Sequence, residues 1–454
     1  MSDLSPERAQ QFARMREVAR EIFATALKNA SIENAFARNV HCERRVLRIG
    51  EDLHNLDSYN RVFVVSIGKA AHTMAAALEA QVGSSLEGIV ASSVEPSVEP
   101  PSQLQASQVR GFRYFHGGHP TPTAESLQAA GAILKSLDAL DAASLAIFMI
   151  SGGGSSIVEK PVGALEDEIS LTDIVATYRA LVHSGAPIAE INAIRKHLSA
   201  IKGGRLARTA YPAQQVSILV SDVPDDTPDA LASGPTMPDS TSILDCERIA
   251  ARYDLVEQFP QSVADLFRQH ALDETPKSDD PAFIRARWWT VLSNRVAIDE
   301  AAVAATRAGF AIEVDNSCDD WPYDQASTHL LNHLRELRST ISRVCLISGG
   351  EVTVTVRDGG SGGRNQQFAL ACAEQISGED ITVLSAGTDG IDGNSQAAGA
   401  VVDGSTVDRA GGAETVRKAL STFNASPLLD ELGGAIFTGP TGNNLRDLRI
   451  LLAY

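Results

Sequence analysis

The chain is poor in several features that would assign it to a familiar class. Its 454 residues include five cysteines, Cys42, Cys246, Cys318, Cys345 and Cys372, and none forms a CxxC pair. That scatter argues against a zinc site and against a disulfide framework. Cys345 and Cys372 lie in apolar stretches and are expected in the core. Positive charge is also scarce: 39 Lys and Arg stand against 57 Asp and Glu, a formal net charge of −18, with no long basic run. A surface of that sign repels nucleic acid and anionic lipid, so neither is an expected partner. No apolar stretch approaches the ~18 residues that cross a bilayer. Residues 1–7 lack the cationic region and apolar segment of a signal peptide, which makes the cytoplasm the expected compartment. Nucleotide fingerprints are missing too. Ile157 stands where a third glycine would follow Gly152 and Gly154, Asn365 stands likewise after Gly360 and Gly362, and Phe63 occupies the first glycine position of a P-loop ending at Gly68-Lys69.

What is present is the composition of an ordinary globular protein, 44% hydrophobic and 21% charged. The length allows roughly three domain-sized units or two larger α/β domains. At least five short apolar runs end abruptly in Ser or Gly followed by a polar residue. They are 62–65 before Ser66-Ile67-Gly68-Lys69, 145–150 before Ser151-Gly152-Gly153-Gly154-Ser155-Ser156, 216–220 before Ser221-Asp222, 344–347 before Ser348-Gly349-Gly350-Glu351, and 381–384 before Ser385-Ala386-Gly387-Thr388-Asp389. Uniformly apolar runs of this length fit strands buried on both faces, and open α/β sheets bind ligands just beyond the carboxyl ends of such strands. The polar tails offer backbone N–H groups, a lysine and carboxylates, a set suited to a phosphorylated ligand with a divalent cation.

Between the runs the pattern is helical. Ser5 caps a helix with Pro6 at its first position, and Phe12, Met15, Val18, Ala19 and Ile22 recur at helical spacing. Helices are predicted over 70–80, 167–183, 188–206, 293–308 and 328–341, and strands over 311–314 and 435–438. A Pro-rich loop over 92–103 carries two copies of Ser-Val-Glu-Pro. The alternation Glu351-Val352-Thr353-Val354-Thr355-Val356 predicts a half-exposed strand. The apolar pattern weakens over 238–281, which places a domain junction there: residues 1–275 form one domain with a mainly parallel sheet, and 285–454 a smaller mixed α/β domain.

Candidate functional residues follow from the tails. Three consecutive glycines among serines let a backbone approach a phosphate. Lys69 sits at a helix start where the dipole already favours an anion, so a ligand contact is the functional reading and a solvent-facing first-turn residue the plain one. Asn192, Arg195, Lys196, Lys202 and Arg205, with Arg364 after a Gly-rich turn, are the densest positive charge near any glycine turn; a solvated helix face is the alternative for each. Asp222, Glu351, Asp389 and Asp392 are candidate carboxylates for Mg²⁺ or for a hydroxyl proton, and for Asp392 an Asx turn is the competing reading. His116 and His119 cannot share a helix face across Gly117 and Gly118, so His119 is expected as a turn or substrate residue and not as a metal ligand.

Taken in order, Ser66-Ile67-Gly68-Lys69-Ala70-Ala71, Gly118-His119-Pro120, the 151–156 turn, Asn192 with Arg195-Lys196-His197, Lys202-Gly203-Gly204-Arg205, Ser221-Asp222-Val223, Ser348-Gly349-Gly350-Glu351, Gly362-Gly363-Arg364-Asn365, Gly387-Thr388-Asp389-Gly390 and Thr438-Gly439-Pro440-Thr441-Gly442 with Asn444 and Asp447 resemble the glycerate 2-kinase family, whose C-terminal part is called MOFRL. The resemblance spans nearly the whole chain. It implies a Rossmann-like N-terminal domain, a MOFRL-type C-terminal domain, and a cleft between them in which ATP with Mg²⁺ phosphorylates D-glycerate at the 2-hydroxyl. Lys69 and Arg364 match the family's catalytic positions. Asp222 is the expected third catalytic residue, and Asp222 and Asp389 are the expected Mg²⁺ ligands. Ser66, Gly68, His119, Ser151, Gly152, Gly153, Gly154, Ser155, Ser156, Asn192, Arg195, Lys196, Gly350, Glu351 and Asn365 are the expected substrate and nucleotide contacts. The chain departs from the family at Thr123, Gln367 and Asn443; Gln367 would remove a charged partner near Arg364. A hydroxypyruvate reductase using NAD(P)H and a non-catalytic sensor of sugar acids are the competing functions. The oligomeric state is open, a homodimer included.

Overall fold

The computed structural model describes residues 5–83, 86–94, 110–163, 169–356 and 359–454. It divides into two compact units, one formed by residues 32–291 and the other by residues 1–31 together with 292–454.

The first unit begins with a small antiparallel meander, β1 (Val40–Glu43), β2 (Val46–Ile49) and β3 (Asp52–Asn55). Its main sheet is built from β4 (Arg61–Ile67), β5 (Glu87–Ser92), β6 (Phe112–His116), β7 (Ser144–Ser151), β8 (Gln214–Val220) and β9 (Ala286–Leu292), in the order β6-β5-β4-β7-β8-β9. The pairs from β6 through β8 are parallel. Every residue of β7 is buried, as its unbroken apolar run requires in a sheet covered on both faces. The order runs outward from β4 to β6 and then returns to place β7 on the other side of β4. That reversal is a topological switch point, and it opens a crevice beyond the carboxyl ends of β4 and β7. Beside the sheet, the helices Leu171–His183, Ile188–His197, Ile243–Arg252 and Gln261–Arg268 share a core of their own.

The second unit has a mixed sheet of β10 (Ala311–Val314), β11 (Val344–Ser348), β12 (Ile381–Gly387), β13 (Gly399–Asp403), β14 (Ala435–Ile436) and β15 (Asp447–Ala453), ordered β10-β11-β15-β12-β13-β14. β10 and β11 are parallel; β15 lies antiparallel between β11 and β12. One face packs on the helices Tyr323–Arg338 and Arg364–Gln375. The other packs on Pro6–Asn29 and Asn294–Arg307, through Met15, Ala19, Ile22 and Phe23 against Ile298, Cys345, Leu384 and Ile450. The side chain of Ser5 caps the first helix as predicted, accepting from the N–H of Arg8.

The mixed α/β, two-unit class matches the sequence reading, and several boundaries move. The opening helix folds with the C-terminal unit, and the units divide at 291/292, not within 238–281. That stretch holds two short helices joined by turns and coil, and they bury only Cys246, Ile249 and Ala250, and Val263, Ala264 and Phe267, which dilutes the apolar pattern. The helix predicted over 188–206 ends at His197, and a new one, Arg205–Ala210, starts after Gly203 and Gly204, both left-handed. The segment 351–356 is no strand. β10 and β15 already occupy both edges of β11, so after the Gly349-Gly350 turn the chain leaves the sheet and its backbone runs beside 320–323, through Asp320 N–H to Glu351 O (2.8 Å), Thr353 N–H to Trp321 O (2.9 Å) and Tyr323 N–H to Thr353 O (3.1 Å). The 435–438 strand contracts to two residues on β13 of its own unit. Most of the Pro-rich 92–103 segment and the first residues of the 167–183 helix lie outside the described residues.

Candidate functional site

In the first unit, the tails of β4 and β7 are bonded into one turn at the switch point. Lys69 N–H donates to Gly152 O (2.9 Å), Ala70 N–H to Ser151 Oγ (3.1 Å), and Ser151 Oγ to Ile67 O (3.3 Å). Ser66 is buried and donates to Ala71 O (2.8 Å), tying the strand end to the helix Ala71–Val82. Gly68 has φ +120, and a Cβ there would overlap the Ser151 hydroxyl, so only glycine closes this turn. A Cβ on Gly152 would fall within the Asp222 carboxylate, which places Asp222, at the end of β8, directly against the Gly-rich turn.

Lys69 is exposed, and among the described residues it makes no ion pair. Gly153 adopts φ +82 and lies between Lys69 Cγ and His119 Nδ1, 3.2 and 3.3 Å from where its Cβ would stand. His119 Nδ1 is 3.1 Å from Ser156 Oγ. Burial first, and then the Lys69 charge, lower the His119 pKa from its ordinary value, against a bond with the Gly153 backbone. A neutral imidazole is the favoured form beside that lysine. Gly154 opens a single helical turn, Gly154–Ile157, and Ser155 Oγ bonds Ser233 Oγ (2.7 Å). Ser66, Gly68, Lys69, His119, residues 151–156 and Asp222 are therefore one constellation.

Asn192, Arg195 and Lys196 lie apart from it in chemistry, on the helix Ile188–His197. Lys196 is buried, with its ammonium on Asp229 (2.8 Å) and Asp239 (3.2 Å). The Arg195 guanidinium covers the Tyr178 ring at 4.7 Å. Tyr178 in turn donates to Glu159, which pairs with the wholly buried Lys202 and accepts from Ser199 (2.6 Å). The positive charge that the sequence concentrates here is thus committed to internal carboxylates and a ring.

The second unit arranges its candidates around the ends of β11, β12 and β15. Arg364 is the first residue of the helix Arg364–Gln375. Its guanidinium meets Asp447 twice, Nε to Oδ2 (2.6 Å) and Nη2 to Oδ1 (3.0 Å), and Nη2 also reaches Glu351 Oε1 (2.8 Å). Burial disfavours the arginine's charge, but the two carboxylates outweigh it and raise its pKa. Glu351 moves upward, chiefly by burial, with Arg364 opposing. The Glu351 N–H donates to Asp319 Oδ1 (2.9 Å), and Asp319 pairs with Arg446 through two 2.7 Å bonds. Gly350 N–H donates to Asn294 Oδ1 (3.0 Å). Asn365 is buried and accepts from Ser385 Oγ (2.6 Å).

Asp392 caps the same helix, accepting from the N–H groups of Asn365 (3.1 Å) and Gln366 (2.8 Å). Burial pushes its pKa up to about 7; the two N–H bonds oppose the rise and the Asp447 charge adds to it. Asp389 Oδ1 accepts from Ile391 N–H (3.1 Å). A pocket of ≈ 440 Å³ has Arg364, Asp389, Asp392, Gly362 and Gly363 on its polar side and Val354, Val356, Ile391 and Phe423 on its apolar side. The Gln367 amide donates to Leu420 O (3.2 Å), and Arg364 has Asp447 and Glu351 as charged partners.

Sequence reasoning gave Asp447 no role and missed Asp319, Arg446 and Arg449. The available signal was an Asp and two Arg placed inside the otherwise apolar C-terminal run Leu445, Leu448 and Ile450 to Ala453. As for a divalent cation, no cluster of three or more His, Cys, Asp or Glu suited to a metal occurs among the described residues. Mg²⁺ commonly binds through one or two carboxylates and substrate phosphates without a protein cage, so single carboxylates at strand ends fit it. No helix among the described residues is long and apolar enough to cross a membrane.

Residues 18–268 match the family described as a domain of unknown function, DUF4147, and residues 344–447 match the MOFRL family. A D-glycerate 2-kinase of Thermotoga maritima is 35% identical over 87% of this chain and 91% of its own length. A protein of Agrobacterium vitis named putative hydroxypyruvate reductase is 34% identical over 96% and 94%. A crystal structure of glycerate kinase from Thermotoga maritima superposes with a TM-score of 0.81 at 32% identity, covering 97% of this chain and all of that one.

Proposed function

Since this chain belongs to the glycerate 2-kinase family, we propose that it transfers the γ-phosphoryl group of ATP to the 2-hydroxyl of D-glycerate, giving 2-phosphoglycerate and ADP. The observation that carries the reading is the Lys69 turn. It presents an exposed ammonium on a backbone of glycines and serines, at the switch point where an α/β sheet receives its ligand. Phosphoryl transfer asks the protein for positioning and for charge neutralisation more than for covalent chemistry. Lys69 meets the transferring phosphoryl oxygens from the first unit and Arg364 is the cation of the second. Backbone N–H groups and the serines of the 151–156 turn hold oxygens of the ligand, and neutral His119 donates or accepts a hydrogen bond without adding charge. Asp222, pressed against Gly152, takes the acceptor hydroxyl's proton or shares in holding the cation. Asp222 or Asp389 would hold Mg²⁺ brought in with ATP, and the bound ion would supply further charge neutralisation.

The test is to incubate the purified protein with ATP, Mg²⁺ and D-glycerate and to follow products by phosphorus NMR. A 2-phosphoglycerate signal is expected. 3-Phosphoglycerate would keep a glycerate kinase and overturn the hydroxyl. With no phosphoglycerate, NADH oxidation by hydroxypyruvate decides for the reductase reading.

A further inference from the structure

We propose that Asp447 is the positioning residue for Arg364, fixing the guanidinium in the orientation that meets the phosphoryl group. The proposal rests on the kinase reading above for what Arg364 does, and on geometry for how it is held. Asp447 opens β15, in register with Gly387 of β12, and its carbonyl accepts from the Asn294 amide (3.0 Å), so its backbone is held at the start of a central strand of the second unit's sheet. Its carboxylate takes the Nε and Nη2 hydrogens of Arg364 together. A planar guanidinium gripped along that edge cannot rotate about its own axis, whereas a single contact would leave it free to turn. Neither the Asp447 nor the Glu351 contact uses Nη1.

Two further observations separate holder from held. The Asp447 side chain is 1% exposed and Arg364 34%, and Arg364 lines the ≈ 440 Å³ pocket while Asp447 does not. Asp447 therefore acts on a ligand only through the arginine. Behind it stands Arg449, wholly buried, with Nη2 3.7 Å from Asp447 Oδ2 and Nη1 on the carbonyl of Gly349 (2.7 Å). A carboxylate enclosed by two guanidinium groups keeps its place, and the same arginine ties it to the turn that carries Glu351. A carboxylate serving only to join strands would not need its two oxygens aligned with the guanidinium fork.

The experiment compares the full-length wild type, Asp447→Asn, Arg364→Ala and the double variant in the glycerate assay, with urea unfolding of each. Asp447→Asn keeps the shape and removes the charge. We expect kcat to fall at least about tenfold with the KM for glycerate within about twofold, and the same change on the Arg364→Ala background to cost less than about twofold. Wild-type kcat in Asp447→Asn, or equal fold-losses on both backgrounds, would overturn the proposal. Should Asp447→Asn not fold, Asp447→Glu keeps the charge and moves the carboxylate one methylene; a reduced kcat in a stable protein supports positioning, and wild-type kcat refutes it. A wild type without glycerate-dependent turnover would sink the kinase reading alone. In that case ¹⁵N-arginine NMR still decides: a slowly exchanging Arg364 Nε–H that becomes fast in Asp447→Asn upholds the grip, and identical exchange denies it.

Discussion

The two units each end apolar strands in a glycine turn with a cation beside it, and they treat that cation in opposite ways. In the first, Lys69 is exposed, while the buried charges of the unit satisfy one another: Lys202 on Glu159, Lys196 on Asp229 and Asp239. In the second, the buried charges reach the candidate cation itself, because Asp447 and Arg449 lie under Arg364. The side chains suit these roles. A lysine ammonium is a point charge on a flexible stem and needs no orienting partner, whereas a guanidinium works through a planar fork whose direction matters. Burial of charge thus serves structure in one unit and the orientation of one arginine in the other.

The largest effect tests the sealed half of the comparison. Glu159→Gln leaves the Lys202 ammonium buried without its counter-charge, and should lower the stability of the first unit by about 3–5 kcal/mol, whereas replacing both partners by well-packed neutral residues should cost far less. Urea unfolding followed in that unit measures it; a loss below about 1 kcal/mol would show that water reaches Lys202. Next comes activity. Lys69→Ala and Arg364→Ala are each expected to lower kcat at least about tenfold with the fold intact. Their stabilities should differ: Lys69→Ala leaves the midpoint where it was, because among the described residues no carboxylate pairs with the ammonium, while Arg364→Ala lowers it by stranding Asp447. Equal midpoints would erase the contrast between the cations. Gly152→Ala comes third, placing a methyl group in the Asp222 carboxylate. It should reduce kcat with a smaller change in stability than Glu159→Gln, since a strand-end turn can shift where a sealed core cannot.

How much of this was legible in the sequence depends on whether local chemistry or topology decides. The strand-end turns were legible because a buried strand must be apolar and its turn needs glycine: Val62 to Lys69 and Leu145 to Ser156 state both facts in order. The helix after Ser5 was legible from its cap and spacing, but not its membership in the far unit, which depends on packing against residues some 290 positions later. The strand predicted for 351–356 failed because alternation says that a segment suits a sheet edge, not that an edge is open. β15 was hidden by Arg446, Asp447 and Arg449, charges that make sense only once their buried partners are known. Lys196 and Lys202 show the converse: charge near glycine turns looks like a ligand site until Asp239 and Glu159, distant in sequence, are brought beside it.

The smallest effect concerns the carboxylate under the Arg364 helix. Asp392 is held at about 7, above the ordinary value of 3.8, mainly because burial disfavours its charge. A folded-state pKa above the unfolded one means that the folded protein binds the extra proton between those values. Stability from this group is therefore present below about pH 4 and is lost as pH rises toward 7. Asp315 and Glu274, both held at about 2, act with the opposite sign but only in more acid solution, so they leave the window from 5 to 8 clear. Asp392→Asn removes the titration and keeps an accepting oxygen for one of the two N–H groups, since Asn365 donates to Oδ1 and Gln366 to Oδ2. The variant's unfolding midpoint relative to wild type should rise steadily from about pH 4 to about pH 7 and level off above that, and parallel pH profiles for the two proteins would mean that the carboxylate ionises normally in the folded state. Because Asp392 bonds the backbone just after Arg364, the variant's activity also reports on the comparison. If orientation of the arginine resides in Asp447, kcat at pH 8 stays within about threefold of wild type; a tenfold loss would move that role to the helix cap.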